Sequence, residues 1–219
     1  MAHVRSIAIA AVIPVLVWAG AVCAAEDAGV RPATVETAEL RPRMEQLGTT
    51  GGLDKPPSSR DLASSRVELQ RRFRESLSHT NTAAGARLAA ETLLTAAVTE
   101  NDRSLKWLML DEARRLGEAA GQASLVNRAI TMAAAVYDFD AIDLELRCLK
   151  QIPLRGLDAR RASSLASAAE NIATRAEADQ RLDKAVSATL LAYRSWQRAG
   201  NKEAAHQAAA RHDALVQGK

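Results

Sequence analysis

The stretch "LKWLMLDEARRLGEAAGQASLVNRAITMA", residues 105–133, decides the fold. Apolar residues recur in it at Leu105, Met109, Ala113, Leu116 and Ala120, then at Val126, Ala129, Ile130 and Ala133. Steps of three and four put each set on one face of an α-helix. Between the two sets lies "AAGQ", residues 119–122. Glycine just past a last helical turn can take the left-handed conformation that ends a helix. A connection this short forces the second helix to run back along the first. The stretch therefore reads as a helical hairpin.

The same period continues on both sides. Upstream, Leu62, Leu69, Phe73 and Leu77 mark one helix; Ala86, Ala90, Leu93, Leu94 and Ala97 mark a second, capped by Asn81 or Thr82. Downstream, Ile142, Leu146 and Leu149, with Cys148 beside them, mark a fifth helix that Pro153 stops. Ala162, Leu165, Ala169, Ile172 and Ala176 mark a sixth that begins at Asp158. Leu182, Val186, Thr189, Leu190, Tyr193 and Trp196 mark a seventh; Ala205, Ala208, His212 and Leu215 mark an eighth. Alternating apolar runs, the sign of strands, are missing. The expected fold is all-α, a stack of about eight helices in antiparallel hairpins over residues 61–217.

Two hairpins match each other. With Gly121 set on Gly200, Ala113 falls on Ala192 and Ala129 on Ala208. Small residues at such points let paired helices approach closely. A hairpin of roughly 34 residues has the length of a tetratricopeptide unit. It cannot bury its apolar face alone, so it stacks on its neighbours. The segments "LKWLMLDEARRLGEAAGQASLVNRAITMAAAVYDFDAIDLE" (105–145) and "RAEADQRLDKAVSATLLAYRSWQRAGNKEAA" (175–205) resemble a tetratricopeptide-like helical module of exported, mostly uncharacterised bacterial proteins. The resemblance implies an α-solenoid and lends little function. Where the strict repeat has a large aromatic early in its first helix, this chain has Leu110 and Thr189.

The N-terminal segment has a different character. "MAHVRSIAIAAVIPVLVWAGAVCAA", residues 1–25, has a weakly basic start, an apolar run interrupted by Pro14, and small residues before Glu26. These are the three regions of a signal peptide, cleaved after Ala24 or Ala25. An uncleaved membrane anchor is the competing reading. Residues 26–60 carry Pro32, Pro42, Pro56, Pro57 and "TTGG" with no apolar period, and read as a disordered linker.

Charge excludes some functions. The chain has 29 basic and 26 acidic residues. Without Arg5, 28 basic residues stand against 26 acidic ones, a net charge of +2. That balance argues against nucleic acid as a partner and against the bulk membrane surface, leaving the N-terminal segment as the only membrane contact. The cysteines are Cys23 and Cys148. Cleavage would leave Cys148 alone, expected as a small buried hydrophobe.

The most chemical-looking stretch is "AVYDFDAIDLELR", residues 135–147, with Asp138, Asp140, Asp143 and Glu145. Asp138 or Asp140 stands at the N-terminus of the fifth helix, where a carboxylate caps free backbone N–H groups. Tyr137 and Phe139 are expected to pack this corner on a neighbouring helix. A calcium loop fails, because Ile142 holds its third ligand position and Asp143 stands where glycine is needed. His206 and His212 are six apart and off a shared helix face. No catalytic, cofactor-binding or metal-binding residue follows from the sequence, and no cofactor is implied. The pairs Arg71-Arg72, Arg114-Arg115 and Arg160-Arg161 have acidic neighbours and read as a salt-bridged, solvated face. Trp107 lies off the Leu105–Met109 stripe. It either packs between repeats or, with Arg114 and Arg115, anchors an unknown protein partner. The expectation is a non-enzymatic, exported module for protein–protein contact in the periplasm or cell envelope.

Overall fold

A computed structural model describes residues 53–218. The signal-peptide reading, and the linker reading up to residue 52, fall outside these residues. Among the described residues there are nine helices and no strand: α1 (Leu62–Arg72), α2 (Arg74–Ser78), α3 (Ala83–Thr99), α4 (Arg103–Ala119), α5 (Ala123–Ala134), α6 (Ala141–Gln151), α7 (Ala159–Ala178), α8 (Leu182–Ala199) and α9 (Lys202–Val216). None of them is long and apolar enough to cross a membrane.

The extra helix comes from the first stripe. Phe73, at φ −115° and ψ 20°, divides it into α1 and α2. The bonds from Phe73 N–H to Leu69 and from Leu77 N–H to Phe73, 3.0 and 2.9 Å, carry the helical pattern past the break. The helical hydrogen bonding therefore continues across one non-helical residue.

Side chains cap most of the long helices. Thr82, Asp102, Asp140, Asp158 and Asn201 accept from the backbone N–H groups of Gly85, Leu105, Asp143, Arg161 and Ala204. Each satisfies a donor that the first turn leaves unpaired. The C-termini of α4, α7 and α8 share a different device. Gly121, Gln180 and Gly200 have φ of 65°, 58° and 79°. The next residue then bonds back across the last turn, Gln122 to Gly117, Arg181 to Ala176 and Asn201 to Trp196, at 2.8, 2.7 and 3.1 Å. This pairing satisfies carbonyls that the helix end exposes.

The left-handed positions differ in surroundings. A Cβ on Gly200 would meet nothing within 4 Å, whereas one on Gly121 would lie 3.0 Å from Leu157 Cδ2. Gly200→Ala should cost about 1 kcal/mol, the strain of a left-handed L-residue. Gly121→Ala adds a displacement of buried Leu157 and should cost about 2 kcal/mol. Urea unfolding of the two variants side by side checks the order.

Consecutive helices pack against each other, with α1 also lying on α4, α3 on α5 and α5 on α7. The interior has two apolar clusters. One joins α1, α3, α4 and α5 around Leu93, Leu94 and Met109; the other joins α5 to α9 around Leu149, Leu165 and Ile172. α5 belongs to both, offering Leu125, Ala129 and Ala133 to the first and Ala123, Val126 and Ile130 to the second. The matched small residues Ala113, Ala129, Ala192 and Ala208 are all buried.

The seventh stripe is rotated from its expected face. α8 buries Ala185, Ala188, Thr189, Leu191, Ala192 and Ser195, and Leu182 is exposed. Val186, Leu190, Tyr193 and Trp196 are only half-buried. α8 packs closely on both α7 and α9, and close packing selects the small-residue face.

Backbone contacts begin before residue 61. Asp54 N–H donates to the Val136 carbonyl at 3.1 Å, and Asp138 N–H donates to the Asp54 carbonyl at 2.7 Å. The Asp54 carboxylate meets Arg103 at 2.5 Å. Residues around Asp54 are thus strapped to the turn between α5 and α6.

Candidate functional site

The carboxylates of residues 138–145 lie where α6 starts, beside α7 and α8. Asp140 caps α6 by accepting from Asp143 N–H at 2.9 Å. Its two oxygens also take both ends of the Arg181 guanidinium, at 2.7 and 2.6 Å. Asp143 meets Lys184 at 2.5 Å and Arg147 at 3.4 Å. Glu145 is different, because its side chain is 1% exposed. It pairs with Arg175 of α7 and accepts from Asn127 Nδ2 of α5 at 2.7 Å. The stretch is a helix start, as its sequence indicates, and also a polar clamp joining four helices.

The Arg181 hydrogen bonds hold the Asp140 carboxyl down at about 2, against an ordinary value of 3.8. A depressed carboxyl stabilises the fold above its unfolded value and loses that contribution as the pH falls through about 2. Asparagine still caps a helix. Asp140→Asn should therefore cost about 1 kcal/mol or less at neutral pH, because the pair is half-exposed. It should also flatten the acid decline between about pH 4 and pH 2. Thermal melts over that range check both.

Trp107, Arg114 and Arg115 are split by the fold. The Trp107 ring meets Tyr137 and Phe139 edge-on, at 4.9 and 5.7 Å between centroids. Tyr137 is buried and donates its hydroxyl to the Arg103 carbonyl at 2.5 Å. Trp107 is thus half-buried between α4 and the α5–α6 turn. Arg114 and Trp107 line a narrow crevice near Leu144. Arg114 pairs with Asp111 at 2.7 Å and with Glu118, and donates to Cys148 Sγ at 3.2 Å. Burial pushes the Cys148 thiol up to about 12, so it stays protonated and weakly nucleophilic. Arg115 faces elsewhere. Its side chain is 64% exposed and meets Glu112 at 3.2 Å. It borders a groove of about 290 Å³ between α1, α2 and α4, whose apolar lining is Leu69, Leu77 and Leu108.

The other candidates are dispersed. His206 lines an open groove between α8 and α9 with Tyr193 and Lys202, and His212 lies beside Asp213. Among the described residues no three of His, Cys, Asp and Glu stand close enough to hold a metal ion. The basic pairs find acids as expected, except that Arg160 forms no ion pair among the described residues.

Sequence reasoning missed the buried Glu145–Arg175 pair. The signal was present, since Glu145 lies three residues after Ile142 and four before Leu149, on the apolar stripe itself. Compared with protein-family models, with curated proteins and with solved structures, the chain matches none.

Proposed function

We propose that this chain is an exported, non-enzymatic helical-repeat protein of tetratricopeptide-like design, presenting a surface to a protein partner in the cell envelope. One observation carries the repeat reading. The turn after α4 and the turn after α8, 79 residues apart, have the same left-handed glycine and the same backbone bonds. Each turn is followed by a helix that packs back on its predecessor through buried alanines. Units of this kind serve as extended binding surfaces in many stacked-repeat proteins. The acid-rich stretch supports the non-enzymatic reading, because Asp140, Asp143 and Glu145 are each engaged in holding helices together.

Of the three residues read as a partner contact, Arg115 has the free geometry. Its groove is lined by apolar and charged residues, the make-up of a contact patch. The test is covalent cross-linking of the tagged full chain in its own cells, beside Arg115→Glu. One partner captured from the envelope fraction and lost in the variant is expected. A capture pattern unchanged by the variant moves the contact elsewhere, and absence of any partner overturns the reading. Mass spectrometry of the N-terminus tests export, with the chain expected to begin at residue 25 or 26. An intact Met1 overturns cleavage.

A further inference from the structure

Arg160 and Arg161 open α7, and the cleft they face also receives Arg87 from α3 and Ser124 from α5. The cleft is about 510 Å³ in volume. Gln122, Ser164 and Asp158 complete its lining. We propose that this cleft binds a phosphate group, as a phosphomonoester carried by a soluble metabolite or by a lipid headgroup. The inference stands apart from the protein-partner reading above and shares no residue with the Arg115 groove.

Charge is the first argument. Three guanidinium groups share the cleft with one carboxylate, Asp158. That carboxylate is already engaged, capping α7 through Arg161 N–H at 2.8 Å and accepting from Arg161 Nε at 2.8 Å. Arg160 forms no ion pair among the described residues, and Arg87 reaches Glu91 only at 3.7 Å. Two arginines from separate helices therefore face the cleft with charge that nothing nearby holds tightly. A phosphomonoester carries about −1.5 to −2 at neutral pH, which suits this excess.

Donor geometry is the second argument. Arg161 is held in place, because its Nη1 also donates to the Ala120 carbonyl at 3.4 Å. The hydroxyls of Ser124 and Ser164 and the amide of Gln122 add neutral donors from α5 and α7. Donors thus approach from three helices. A planar carboxylate has two oxygens and cannot use that spread; a tetrahedral phosphate has three and can, with guanidinium forks taking two at a time.

The test is titration calorimetry of the full chain with inorganic phosphate and with glycerol 3-phosphate. It is run beside Arg87→Ala, Arg160→Ala and, as a control outside the cleft, Arg194→Ala. Arg87 and Arg160 are exposed, so both variants keep the core, and circular dichroism verifies it. The expected result is saturation at one ligand per chain. Each cleft variant should weaken binding roughly tenfold, about 1.4 kcal/mol, and the control should leave it unchanged. Phosphatidylcholine vesicles with and without phosphatidic acid separate the sources. Vesicle binding that depends on Arg87 and Arg160 and exceeds glycerol 3-phosphate binding assigns the lipid headgroup; similar affinities assign the soluble ester. Absence of saturable binding, or binding that none of the cleft variants weakens, overturns the proposal.

Discussion

Arg175→Met should lower the stability of the fold by about 3–4 kcal/mol in urea unfolding, although Arg175 itself is well exposed. The cost lies with its partner. Glu145 is buried between α5, α6 and α7, and without Arg175 its described polar contact is Asn127 at 2.7 Å. One neutral amide does not compensate a buried carboxylate. The reverse substitution is milder, because a freed Arg175 can turn to water. Glu145→Met should therefore cost less than Arg175→Met, and the double substitution should recover most of the loss. Equal losses in the two single variants would show that the pair acts only through packing.

Trp107→Ala should cost about 2–3 kcal/mol, somewhat below the range for a fully buried aromatic. The ring joins the α4 helix to Tyr137 and Phe139, so its removal opens space on two sides at once. Trp107→Phe keeps part of the edge contacts and should recover about half of the loss. The consequence for partner mapping is direct. A partner lost in Trp107→Ala reports a loosened α4–α6 corner, whereas one lost in Arg115→Glu reports a surface contact. A Trp107→Ala chain as stable as the parent would return Trp107 to the surface.

Much of this architecture was legible in the residues. Asp158 caps the helix it was placed before, Thr82 rather than Asn81 and Asp140 rather than Asp138 cap theirs, and Gly121 and Gly200 turn the chain where the period stops. These signals are local, since a cap or a left-handed glycine is fixed by its own few neighbours. What was not legible depends on distant partners. The face of α8 could not be read from its large residues, because close contact with α7 and α9 rewards the small ones. The partner choice of Asp140 and Asp143 was hidden because Arg181 and Lys184 lie 41 residues away. The site readings divided for the same reason. Trp107 is occupied by Tyr137 and Phe139 of the α5–α6 turn, Arg114 reaches Cys148 of α6 besides the acids of its own helix, and one helix's period says nothing of what lies across from it.

The double duty of α5 bears on how the chain reaches this structure. A helix whose opposite faces complete two apolar clusters couples their formation. The cluster around Leu93 and the cluster around Leu149 each gain a wall only when that one segment is helical and in place. Most other contacts join helices adjacent in the chain, so little loop-closure entropy separates the early steps. Rapid, nearly all-or-none folding is the kinetic signature of such a layout, and α5 is where its nucleus has most to gain.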